Sequence, residues 1–271
     1  MSIDNLTRAQ IPVASASIDS ERLDDLATTQ DQKTGEALRI YQTVARDLGI
    51  AILSGELQPG DNLGGEIESS ERLGVSRTAY REAVRILVAK GLVESRPRAG
   101  THVTPTRRWN LLDHDILAWM FSTGPNDEFI NDLFELRFVI EPAAAYLCAV
   151  RRSEHQLKEL KQAVTEVKEF SLATPQGRAA DRRFHDHIIE ASGNLALGTL
   201  AGSIGTAIEW TTHFKAMRQN QKTPHSSIDD HLPVLRAIEH RDANGASEAM
   251  RTLIRNASQD MADIIKLRTM D

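Results

Sequence analysis

Residues 74–94 read "GVSRTAYREAVRILVAKGLVE", and their spacing decides how the N-terminal third of the chain folds. Tyr80, Ala83, Val84, Leu87 and Val88 recur at helical intervals and predict one apolar stripe. Arg77, Arg81 and Arg85 stand four residues apart, and such positions drift by only about 40° around an ideal helix. The three arginines therefore form a ridge beside the stripe. One edge of the helix can dock on a neighbour while the other presents guanidinium groups. Their forked donors match phosphate oxygens and the O6/N7 edge of guanine. Ser76 is placed to cap this helix, and Gly74 to end the short one before it.

Working outward, "SGELQPGD" breaks a helical pattern that runs from about Gly35 to Leu53, and Glu66 to Leu73 reads as a brief helix. Beyond Gly91, "LVES" and "THV" can pair as a hairpin around "RPRAG". Helix, turn, helix and two-stranded wing predict a winged helix-turn-helix domain over residues 34–104. Residues 1–33 carry no sustained period and read as a flexible tail. "TPTRRWN" opens a linker at 105–112. Residues 113–271 read as helical throughout, with turns at "STGPND", "ATPQG", "ASGN", "NQKTPHSS" and "HRDANG". The fold class is mainly α: the winged domain followed by an all-α bundle of six or seven helices.

Charge distribution sharpens the reading. The chain of 271 residues has a formal charge of −6, yet Arg72 to Arg108 hold nine Lys/Arg against two Asp/Glu. A cationic module on an acidic body is the footprint of a reader of double-stranded DNA, not of a protein that coats nucleic acid indiscriminately. The single cysteine, Cys148, excludes an internal disulfide and sits in the apolar "AAAYLCAV" as packed core. No signal-peptide pattern or run of about 20 apolar residues occurs, so the expectation is a cytoplasmic protein with no membrane partner.

"GELQPGDNLGGEIESSERLGVSRTAYREAVRILVAKGLVESRPRAGTHV" resembles the DNA-binding domain of GntR-type bacterial transcription regulators. The resemblance implies that Arg77 and Arg81 reach operator DNA, with Ser76 and Thr78 near the backbone. It places the wing tip, Arg98 and Gly100, at the minor groove. Arg85 faces the same way without being a typical family contact. The chain departs from the family's Leu-Pro-Ser-Glu-Arg in "LGGEI", where Gly64 replaces the proline and Ile67 an arginine that commonly touches DNA.

Further on, Asp181 and His185 lie four apart, so carboxylate and imidazole share a helix face and can chelate one ion. The same spacing also serves a surface pair or a helix-local hydrogen bond. His231 opens a later helix that a bundle can bring alongside. Arg137 can pair with Glu141 one turn on. Asn194 either adds a polar contact or caps a helix.

"ELRFVIEP", "DRRFHDHIIEASGN" and "DDHLPVLRAIEHRDANGASEAM" resemble the helical ligand-binding FCD domain of the FadR branch. The junction "RRWNLLDHDILAWM" is similar to that of the galactonate-responsive, DgoR-like repressors of sugar-acid operons. By this resemblance Asp181, His185 and His231 fall on three of four metal-ligand positions, with Zn²⁺ the favoured ion. Leu253 stands at the fourth, which leaves the set incomplete. Without a metal, the same groups line the effector pocket directly. Arg137 and Asn194 are the implied effector contacts. The expected function is a homodimeric, DNA-binding repressor released by a small carboxylate, either an aldonate-like sugar acid or another small organic acid. The rival, a metal-dependent hydrolase with a DNA-binding domain, finds no "HExxH", nucleophile elbow or phosphate-cradling loop, so no catalytic residues are assigned.

Overall fold

The computed structural model describes residues 40–96, 99–218 and 228–268. The expected tail at 1–33, the first residues of the helix expected from Gly35, wing-tip residue Arg98 and the "NQKTPHSS" turn lie outside them. Helix α1 spans 40–53, and α2 (Glu66–Arg72) and α3 (Arg77–Ala89) form the helix-turn-helix. Ser76 caps α3, its side chain accepting from the Ala79 amide at 3.1 Å. Tyr80, Ala83, Val84 and Leu87 are buried against Val44, Ala45 and Ile52 of α1, but Val88 is 44% exposed. The expected stripe is thus one residue too long. Val88 lies seven positions beyond Arg81 and returns to the outward meridian that the arginines occupy.

The wing is an antiparallel pair, β1 (Val93–Arg96) with β2 (Gly100–Val103), in register Val93↔Val103 and Arg96↔Gly100. A bridge from Asn62 to His102 ties its outer strand back to the loop before α2.

The segment after the wing is packed against it. Thr106–Arg108 form a 3₁₀ turn, the Trp109 indole donates to the Thr104 carbonyl at 3.0 Å, and the Asn110 amide donates to the Lys90 carbonyl. Gly91 permits this approach. Its φ is +76°, and a Cβ there would collide with the Arg108 carbonyl oxygen. Gly91→Ala combines left-handed strain with a steric clash and is expected to cost about 2–4 kcal/mol, read by chemical denaturation.

Helix α4 (His114–Thr123) joins two cores. Asp113 caps it, accepting from the Asp115 and Ile116 amides. Ile116 and Trp119 belong to the winged unit's core, whereas Leu117 and Phe121 belong to that of the bundle. Lys90, at the end of α3, reaches Asp113 at 2.6 Å and Asp115 at 2.7 Å and lies over the Trp119 ring. The C-terminus of α3 is therefore fastened to a helix that also roots in the bundle.

The bundle comprises α5 (Asp127–Arg151), α6 (Glu154–Phe170), α7 (Pro175–Ala191), α8 (Leu195–Gly198), α9 (Ala201–Arg218), α10 (Ile228–Glu239) and α11 (Ala243–Arg268). With α4, that makes eight helices among the described residues. The addition to the expected six or seven is the single turn α8, too short to register as a period. Local rules set the ends: a capping box at Ser153 and Gln156 starts α6, and Pro175 starts α7 with Thr174 as its cap. Cys148 is fully buried, and burial pushes its thiol up to about 12, so it behaves as core. No helix among the described residues is long and apolar enough to cross a membrane.

Candidate nucleic-acid surface and buried ligand centre

Helix α3 presents Arg77, Thr78, Arg81 and Arg85 outward, with Ser76 exposed at its start. The ridge carries acidic partners of its own. Arg81 pairs with Glu66 of α2 at 3.0 Å, and Arg85 with Glu82 at 2.6 Å. Both pairs are solvent-exposed and worth little, so phosphate oxygens can displace the carboxylates without a large penalty. Gly100 opens β2 at φ +90°, where a side chain would meet Asn62. Ile67 is 52% exposed beside this face, a greasy residue on a surface otherwise rich in charge.

The second site is inside the bundle. Asp181 and His185 project from α7 and His231 from α10, and all three are buried. One ligand atom from each lies within 4.8 Å of the other two. His231 Nε2 donates to Asp181 Oδ1 at 2.7 Å, and His185 Nε2 stands 3.7 Å from the same oxygen. Leu253 is buried in the apolar core and offers no donor.

Around these three runs a buried polar layer. Arg137 of α5 donates Nε to Glu141 Oε1 at 2.6 Å, and Glu141 Oε2 approaches His185 Nδ1 to 2.5 Å. That approach is too poorly aligned for a proper hydrogen bond, leaving both atoms buried and unsatisfied in this sense. On α9, Thr212 reaches Asp181 Oδ2 at 3.5 Å, and Lys215 Nζ lies 3.7 Å from Asp260 Oδ2 of α11. Arg137 is thus paired with Glu141 one turn on, and that pair lies against His185. Asn194 is used otherwise. Its Oδ1 caps α8, accepting from the Ala196 and Leu197 amides, which answers its open alternative as a cap.

Electrostatics hold the carboxylates ionised. Burial pushes Glu141 up, but the Arg137 guanidinium and His185 beside it prevail and hold it at about 2. Burial likewise opposes Asp181, and the His231 hydrogen bond with the neighbouring imidazoles and Arg137 brings it to about 2. Lys215 is pushed down by burial and by Arg137, while Asp260 pulls it up.

The donor set fits a divalent ion. Two imidazoles and a carboxylate match zinc's preferences, and Glu141 stands on the Nδ1 side of His185, away from the Nε2 that faces Asp181. Arg137 and Lys215 against Glu141, Asp181 and Asp260 leave one negative charge in excess when both imidazoles are neutral. A dication reverses that to one positive charge in excess, which suits a single added carboxylate.

Residues 40–103 match the gntR family of bacterial regulatory proteins, and residues 132–256 match the FCD domain. The HTH-type transcriptional regulator YieP of Escherichia coli K12 is 34% identical over 83% of this chain and 96% of its own length. The chain belongs to the GntR family of transcription regulators. It is of the FadR type, with an FCD domain behind the helix-turn-helix, and it is a regulator, not an enzyme. The galactonate operon transcriptional repressor of the same bacterium is 28% identical over 80% of this chain and 94% of its own length. A solved structure, that of the Listeria monocytogenes regulator Lar, superposes with a TM-score of 0.56 at 18% identity, over 84% of this chain and 96% of that one. The helix-turn-helix implies DNA binding, and the FCD domain implies a small-molecule effector.

Sequence reasoning about this regulator missed Lys215, Thr212 and Asp260. A signal existed: in α9 the core positions run Ile204, Ala207, Ile208, Thr211 and Phe214, and Lys215 continues that buried face with a charge. A lysine on a core meridian needs a partner.

Proposed function

We propose that this regulator is a homodimeric repressor of a sugar-acid catabolic operon, released from its operator by a small carboxylate. Ser76, Arg77, Thr78, Arg81 and Arg85 of α3, with Arg98 and Gly100 of the wing, are the residues that meet DNA. A two-fold dimer fits a near-palindromic operator with two half-sites. The winged domain takes in residues 34–104, the linker 105–112, and the effector domain 113–271.

The observation that carries the effector half is the buried layer from Arg137 to Lys215, two cations held beside Asp181, His185 and His231 in an otherwise apolar core. Those three residues hold a divalent ion, Zn²⁺ by preference, which supplies an electrophilic anchor for an anion. Arg137 and Lys215 take the carboxylate's remaining charge, and Thr212 adds a hydroxyl. Galactonate and uxu operon regulators stand among the relatives, which supports an aldonate-like effector.

The signal has a physical route. Thr212 and Lys215 sit on α9, whose Trp210 stacks on Phe121 of α4 and whose Phe214 meets it edge-on. On the same helix Trp119 carries the Lys90 contact at the end of α3. Effector binding that shifts α9 thereby biases how α3 is held. A differential affinity between the two states of about 1–3 kcal/mol suffices for regulation.

A thermal-shift screen of aldonic, ketodeoxy-aldonic and short hydroxy acids, with and without Zn²⁺, tests this reading. An effector at about 100 times its Kd adds about 2.7 kcal/mol of stability. Metal content below about a tenth of an equivalent, together with no thermal shift on adding Zn²⁺, contradicts the metal. An effector response that survives this leaves Arg137 and Lys215 as the anion site.

A further inference from the structure

Among the described residues of the winged unit, Ile67 is the large apolar residue most open to solvent. It stands in the first turn of α2, a helix that buries Ser69 and Ser70 while its isoleucine faces outward. A lone exposed hydrophobe needs no function, so what surrounds this one decides. Its neighbour Glu66 reaches Arg81 of α3 at 3.0 Å, which lays this turn alongside the arginine ridge.

Ile67 and Arg77 line one shallow recess between the starts of α2 and α3. The same recess carries three carboxylates, Glu66, Glu68 and Glu71, against the guanidiniums of Arg72 and Arg77. Arg72 is engaged in donating to the Leu63 carbonyl at 3.1 Å. A wall with more acid than base repels a phosphate at close range. Arg77 also differs from its ridge neighbours. Arg81 and Arg85 hold Glu66 and Glu82, whereas Arg77 forms no ion pair among the described residues. A free guanidinium beside an apolar side chain suits base edges, which carry no net charge. The major groove offers guanine O6 and N7 to the first and the 5-methyl group of thymine to the second.

We infer that Ile67 reads sequence: its side chain covers the 5-methyl group of a thymine near the base edge that Arg77 meets. This rests on the DNA-binding reading above and adds one base to it. The probe is a duplex selected from a random pool by the full chain, with each thymine replaced in turn by deoxyuridine, which lacks that methyl. One thymine in each half-site should respond, its replacement weakening wild-type binding about fourfold, the worth of burying one methylene-sized group. Ile67→Ala, an exposed substitution that should fold as wild type, should bind the unmodified duplex at least that much more weakly. It should be indifferent to deoxyuridine at that position, and its salt dependence should be unchanged because no phosphate contact is lost. A scan in which no thymine shows this coupling to Ile67 overturns the inference and leaves DNA binding intact. So does an Ile67→Ala variant that weakens every duplex equally, which sets the side chain against the sugar-phosphate backbone. A selection that yields no preferred sequence overturns the reading beneath it as well.

Discussion

Arg137→Ala is expected to lower folding stability by about 3–5 kcal/mol, the usual penalty for removing one partner of a buried ion pair. Glu141 would be left fully buried without its guanidinium partner, with His185 Nδ1 beside it at 2.5 Å. Arg137→Met with Glu141→Leu removes both charges and should recover most of that loss, since an apolar pair of similar volume can replace a buried salt bridge at little cost. The two variants separate stability from signalling. The double variant should fold well, bind operator like wild type and fail to release it when effector is added. Equilibrium denaturation gives the first quantity, and operator binding with and without the active carboxylate gives the second. A double variant that still responds removes Arg137 from the effector site.

The second large effect concerns DNA. Arg81→Ala is expected to weaken operator binding about tenfold to hundredfold per half-site if the guanidinium reads a base edge. In a dimer both half-sites lose the contact, so the observed change compounds. Sequence preference at the contacted base pair should relax as well. Loss of affinity that is equal for all sequences assigns Arg81 to the phosphate backbone instead. Glu66→Gln provides the converse: it frees Arg81 from its partner at 3.0 Å and should modestly strengthen binding. Both are read by titration of labelled duplex at one salt concentration, because affinity for DNA falls steeply with salt.

Much of this architecture was legible because it follows from short-range rules. The stripe of Tyr80, Ala83, Val84 and Leu87, the Ser76 cap and the wing pairing each depend on residues a few positions apart. What escaped depends on distant partners. Periodicity includes Val88 in the stripe because it does not say how far along a helix its neighbour extends. The tight docking of 105–110 depends on Gly91 meeting Arg108, a contact across the wing that no local pattern encodes.

The candidate metal centre shows the same division. The four-residue spacing of Asp181 and His185 was visible within one helix, whereas the arrival of Lys215 and Asp260 depends on how α9 and α11 pack. Asn194 was ambiguous between pocket and cap, and the single turn that it caps is too brief to announce itself. Polar residues on buried meridians are the general signal of such a layer, and Lys215 is the clearest case.

A cationic winged module that grips operator duplex under the control of an acidic helical domain is the central proposal. Fluorescence anisotropy of the whole chain on duplexes selected from a random pool, across a salt series, tests this most directly. The predicted result is sequence-preferring binding whose affinity falls steeply as salt rises from 50 to 200 mM, by about a thousandfold or more if six or more phosphates are contacted across the two half-sites. Affinity that is weak at every salt concentration, or insensitive to it, would contradict the account.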